Sequence, residues 1–244
     1  NPDKKEVGFL LFDPGRRILK HVTYDRPFGR LAAQAMHAGK MIDRYDAWLA
    51  LRNIPVEKKL DMLIPAFHKE THWLIRYEIL LQLAPEQTPE VVEIFREALS
   101  DRDANVRKTA LMTLETVPDL LQSTVEGMLS DSSYLNVELA LGTLCKSFPK
   151  NTGHYLDLTR KMEGWRGKNI RMKWLEIAIS SGKTEFLPEL TGYTGPGFEF
   201  ETRMNAFKNL KKLDYTDPIV RKNAEDASRH WNNKLSGAAK EYLK

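Results

Sequence analysis

One amphipathic helix recurs along this chain at a near-constant period, and that recurrence limits the possible folds more than any other feature. Residues 103–114 (DANVRKTALMTL) show it most fully. An acid opens the stretch, a Val-Arg pair follows, and Val106, Ala110, Leu111 and Leu114 fall on one helical face. With Arg107 as marker, the same slot is held by Arg44, Arg76, Glu138, Arg171 and Arg203, so the five spacings run 32, 31, 31, 33 and 32 residues. The flanking columns keep register. Three residues after the marker stand Ala47, Ile79, Ala110, Leu141, Trp174 and Ala206. Four after it stand Trp48, Leu80, Leu111, Gly142, Leu175 and Phe207, and seven after it Leu51, Leu83, Leu114, Cys145, Ala178 and Leu210. The position just before it is apolar in four copies, with Asp43 and Thr202 as exceptions. Six copies of one helix at this period predict a solenoid, in which each repeat buries its apolar face only against its neighbours.

A second helix is expected between successive markers, over residues 55–67, 89–99, 118–129, 153–162 and, more weakly, 184–190. The intervening connections are short, which folds consecutive helices back antiparallel. An earlier helix is expected over 28–38, with Pro27 in its first turn and Gly39 at its end. Residues 191–198 (TGYTGPGF) hold three glycines and a proline and read as a longer loop. Residues 217–243 read as one long terminal helix, with Ile219, Val220, Ala224, Ala227, Trp231, Leu235, Ala238 and Tyr242 on its buried side. Residues 1–27 differ: the apolar run 7–12 and the partly alternating 18–24 flank Asp13-Pro14-Gly15, a turn tripeptide, and read as two strands. Two strands alone are marginal in water. They predict a sheet completed by segments before Asn1, and hence a piece of a longer polypeptide. The expected organisation is a β-strand pair over 1–27, the remnant of a preceding β-sandwich, and an α-solenoid over 28–244.

Composition narrows the function classes. With 37 basic and 33 acidic residues the net charge is only +4, and no block of like charge invites a nucleic-acid partner. No run of about 18 apolar residues is present to span a membrane. The single cysteine, Cys145, sits in an apolar column and reads as a small core hydrophobe.

His68-Lys69-Glu70-Thr71-His72 resembles a zinc motif on first sight. A zinc-protease H-E-x-x-H requires the glutamate directly after the first histidine, where it reaches the metal-bound water. Here it stands two positions on, at a junction between helices, and a polar turn is the better reading. The glycines of 191–198 follow no strand and precede no Gly-Lys-Ser/Thr, so no phosphate cradle is expected. No catalytic residue and no metal ligand is assigned in this chain. The marker arginines, Arg44, Arg76, Arg107, Arg171 and Arg203, have two readings: a structural ladder bonding acids or carbonyls of neighbouring repeats, or a surface row for anions. Register with the core columns, and the replacement at Glu138, favour the ladder.

The acid, Val-Arg and Ala pattern at the head of the marker helix, whole at Asp103, Val106-Arg107 and Ala110 and partial at Ile75-Arg76, Ile170-Arg171 and Arg203-Ala206, resembles the HEAT-like repeat family over roughly residues 40–215. That resemblance implies a mainly α fold, a right-handed α-α superhelix of helix pairs. Phe12-Asp13-Pro14-Gly15, then Ile18-Leu19-Lys20, then a helix leading to Asp43-Arg44-Tyr45-Asp46-Ala47 is similar to the C-terminal part of bacterial zinc aminopeptidases of peptidase family M-one. In that family a strand pair closes a small β-sandwich and a helical domain follows. The resemblance implies a non-catalytic domain that encloses the active-site chamber and limits peptide access, with zinc held by the upstream catalytic domain. The implied partners are the upstream catalytic and β-sandwich domains and, through the parent enzyme, peptide substrates. The implied setting is bacterial, cytoplasmic or periplasmic. The family's H-E-x-x-H and G-A-M-E-N motifs are absent from this chain, so no catalytic or metal residue carries over. The alternative is a free-standing α-solenoid scaffold that binds a protein or peptide along its concave face.

Overall fold

The computed structural model describes residues 8–18, 26–86, 88–162 and 167–244. It is mainly helical, about 71% of the chain, with 14 α-helices and no strand among the described residues. Residues 8–18 carry bends and a turn at Asp13-Pro14-Gly15 but form no strand; the rest of the two expected strands lies outside the described residues. Gly15 has φ +84°, which glycine adopts without strain.

The chain divides into two compact units, residues 1–124 and 125–244. In the first, α1 (Phe28–His37) packs on α2 (Met41–Leu51), α2 on α4 (Trp73–Leu83), and α4 on α6 (Ala104–Thr113). Between these lie α3 (Leu60–Lys69), which packs on α4, and α5 (Pro89–Leu99), which packs on α3 and α6. The short α7 is Gln122–Gly127. In the second unit α8 (Tyr134–Ser147), α10 (Lys168–Ser180), α12 (Phe200–Lys212) and α14 (Asn233–Leu243) pack in that order, each on the next. They alternate in sequence with α9 (Thr152–Thr159), α11 (Leu187–Gly192) and α13 (Pro218–Ala227).

The six marker positions therefore fall on α2, α4, α6, α8, α10 and α12, each in the first turn or just past it. Every residue in the column three after the marker is buried, Trp174 and Ile79 among them. The residue before the marker is buried in all six copies, including Asp43 and Thr202. These two polar exceptions survive burial because each makes a bond: Asp43 accepts from the Gly15 amide and Thr202 donates to Glu199. The last column is looser, since Leu114 lies just past the end of α6 and is half-buried, as is Cys145.

The helix starts follow local chemistry. Thr88 caps α5 ahead of Pro89, Asp103 caps α6, and Asp217 caps α13 ahead of Pro218. Several expected second helices are shorter or interrupted. Residues 55–67 become a 3-10 turn, Val56–Lys58, followed by α3, and 118–129 divide into Asp119–Leu121, α7 and Met128–Ser130.

The single long terminal helix is not found. Residues 217–243 form α13 and α14, separated near Trp231. Asn232 accepts from the Lys234 and Leu235 amides and so starts a new helix, which α13 packs against. The apolar periodicity runs through the break, which is why sequence reading joined the two. Val220, Ala224, Ala227, Leu235, Ala238 and Tyr242 are buried as expected, but Ile219 and Trp231 are 69% and 80% exposed.

Candidate functional site

Three arrangements of polar residues stand out, the first at the start of the array. The Gly15 amide donates to Asp43 Oδ1 at 2.8 Å, and the Arg16 guanidinium pairs with Asp46. Arg26 reaches the other Asp46 oxygen at 3.0 Å, and Lys40 Nζ donates to the Pro14 carbonyl at 3.2 Å. The Asp13-Pro14-Gly15 turn is thus fastened to α2 by backbone and charged bonds. Beyond it, Leu10, Phe12 and Ile18 are each about two-thirds exposed.

The second arrangement is the set of marker arginines. Arg44 holds Glu70 along one edge, Nε to Oε2 at 2.8 Å and Nη2 to Oε1 at 3.0 Å, while Nη1 donates to the Ala38 and Gly39 carbonyls. Burial alone would raise the Glu70 carboxyl, but the Arg44 bonds, with those from the His72 and Thr71 amides, hold it below its ordinary value. Arg76 pairs with Asp101, whose side chain is 6% exposed, and lies 4.2 Å over the Phe67 ring. Arg107 donates to the Asp101 carbonyl at 2.7 Å and the Arg102 carbonyl at 3.2 Å, so Asp101 joins two successive markers. In the second unit Arg171 grips Glu189, with Nε to Oε1 at 2.8 Å, and stacks on Trp174. Arg203, 5% exposed, donates to the Thr194 carbonyl at 3.0 Å. These five side chains are committed to acids and carbonyls of the chain itself.

The third arrangement surrounds Glu138, which takes the marker slot without a guanidinium. A cavity of about 320 Å³ is lined by Glu138, Asn169, Lys173, Glu176, Glu201 and Asn209, among others, from α8, α10 and α12. Lys173 bonds Glu176 at 3.1 Å and passes over Gly142, where a Cβ would stand 3.0 Å from Lys173 Cε. Gly142, the one glycine in its column, makes room for that lysine. Lys212 also pairs with Glu176. Burial would raise the Glu176 carboxyl, and the two lysines outweigh it and lower it. For Glu138 burial raises the carboxyl, Lys173 opposes, and Glu176 and Glu201 push it further up. Sequence reading noted the Glu138 replacement but not this cavity, because Lys173, Glu176 and Glu201 lie on other helices and read singly as a solvated face.

The histidine pair does not converge. His68 lies in the last turn of α3, 3.0 Å from Glu97, whereas His72 caps α4 by accepting the Leu74 amide on Nδ1 at 3.3 Å. Cys145 is half-buried and its thiol is raised by burial, a small side chain in a core column. No helix among the described residues is long and apolar enough to cross a membrane. The sequence matches no family model, and it matches no curated protein.

Proposed function

We propose that this chain is the non-catalytic helical domain of a zinc aminopeptidase of peptidase family M-one, and that it encloses the active-site chamber and limits peptide access. In this reading its helix pairs coil as a right-handed superhelix, a strand pair precedes them, and zinc is held upstream. The observation that carries the proposal is the bonded junction at α2. Two of the three segments on which the family resemblance rests, 12–15 and 43–47, are some 30 residues apart in sequence, yet Gly15 bonds Asp43, and the neighbouring Arg16 bonds Asp46. A turn held this firmly fixes the direction in which a preceding domain enters the array. The exposed Leu10, Phe12 and Ile18 support a covering apolar surface, which a β-sandwich supplies.

The proposal is tested with purified residues 1–244. They are expected to fold, to bind no stoichiometric zinc, and to leave aminoacyl-amide substrates uncleaved. Clear peptidase activity from the fragment overturns it. A second reading, a free-standing scaffold for a peptide partner, is favoured by the cavity that Glu138, Lys173 and Glu201 line across α8, α10 and α12. It predicts a full-length coding sequence without a metalloprotease motif and a partner captured by the isolated array.

A further inference from the structure

A second polar network is buried in the first unit, at the ends of α2 and α4. Lys59, at the start of α3, is only 3% exposed. Its Nζ donates to the Leu51 carbonyl and to Gln82 Oε1, both at 2.6 Å. Gln82 Nε2 in turn donates to the Trp48 carbonyl at 2.8 Å and to Glu78 Oε1 at 2.9 Å. Glu78 is fully buried and is gripped along one edge by the Arg52 guanidinium. A buried lysine carries three donors, and two have partners here. The outer nitrogen of Arg52, Nη1, is likewise unused, and the Arg52 side chain is 46% exposed. Two cations therefore stand against one carboxylate.

These groups border a cavity of about 410 Å³ whose other walls are mostly apolar: Ile54, Pro55, Val56, Leu81 and Pro85. Surplus positive charge and spare N–H donors suit an anion, and apolar walls suit a hydrocarbon body. A phosphate, strongly hydrated on every side, would leave those walls uncovered.

We propose that this cavity binds a monocarboxylate with a small apolar body, its carboxylate between Lys59 Nζ and Arg52 Nη1 and its hydrocarbon part against Ile54, Val56 and Leu81. The carboxylate comes either from a free acid or from the C-terminal residue of a peptide. The site does not depend on the aminopeptidase reading. Burial lowers Lys59 from its ordinary value, with Glu78 the opposing charge, so affinity falls as pH rises through that lowered value and Lys59 loses its proton.

The test is calorimetric titration of residues 1–244 with 3-phenylpropionate and with its neutral amide, 3-phenylpropanamide. In parallel, N-acetyl-Gly-Leu and its C-terminal amide are titrated. Each acid is expected to bind at least tenfold more tightly than its amide. The tighter of the two acids identifies the source. Lys59→Met is expected to weaken acid binding at least tenfold. Because that change removes a bonded buried group, Val56→Trp provides a second variant that fills the cavity without touching the network, and it too is expected to cost at least tenfold. Equal binding of acid and amide, or acid binding in Val56→Trp within threefold of the unaltered protein, overturns the proposal.

Discussion

The same slot in the repeat is used one way throughout the first unit and two ways in the second, where Arg171 and Arg203 bond the chain itself and Glu138 does not. In the first, Arg44, Arg76 and Arg107 extend from the heads of α2, α4 and α6 to acids and carbonyls where one helix gives way to the next. Arg44 and Arg107 make the same pair of backbone bonds, five and six residues back. In the second unit the slot opens with Glu138, which faces Glu176 and Glu201 with Lys173 as its nearest counter-charge. The difference teaches that core register, not the marker's charge, defines the repeat: Val137 and Leu141 beside Glu138 are as buried as Val106 and Ala110 beside Arg107. Where the slot carries arginine it ties connections together, and where it carries glutamate it leaves a polar cavity.

Substitutions can sharpen that contrast. Arg76→Ala is expected to have the largest effect, because it strands the nearly buried Asp101 carboxylate and uncovers the Phe67 face. A loss of about 3 kcal/mol in chemical denaturation is expected, the scale for breaking one side of a buried pair. Arg171→Ala, in the second unit, leaves Glu189 able to reach water, since a third of its side chain is exposed. About 1.5 kcal/mol is expected, the scale of a charged hydrogen bond. Should Arg171→Ala cost as much as Arg76→Ala, the distinction between the two rungs fails.

Much of this was legible in the sequence. The six marker helices, the columns just before and three after the marker, and the helix α5 lie where periodicity puts them, while the column seven after it is looser at Leu114 and Cys145. Asp43 and Thr202 show the limit of that reading: both looked like faults in a core column, and both are buried with a bond, Asp43 accepting from Gly15 and Thr202 donating to Glu199. The division of α13 from α14 was missed because the apolar face continues across it, while the deciding element is one capping side chain, Asn232. The Lys59 network was missed for another reason. Lys59 stands in a polar stretch and Gln82 alone between leucines, and only packing at the ends of α2 and α4 brings the two together and buries them.

Glu138→Gln is expected to move stability the other way, upward by about 0.5 kcal/mol near neutral pH, the scale of a partly exposed charge interaction. The pH dependence separates the two uses of the slot in sign. Glu70 and Glu176 have folded values below the ordinary carboxylate, so their contribution is present above that ordinary value and is lost as pH falls through the lowered one. Glu138 has a folded value above it, so stability falls as pH rises through the interval between them. Glu138→Gln should remove that fall, and Glu70→Gln should remove part of the loss in acid. Denaturation midpoints measured from pH 3 to pH 8 check both. Asp43→Ala should be of intermediate size, about 1 kcal/mol for the lost bond from Gly15, and should loosen the turn selectively, read as faster amide exchange at residues 15–18.

The most direct test of the central claim is the coding sequence upstream of Asn1. A helical domain of a zinc aminopeptidase predicts an H-E-x-x-H motif followed by a later glutamate in the same reading frame. A reading frame that extends upstream without them, or that starts close to Asn1, contradicts the account and leaves the scaffold reading in its place.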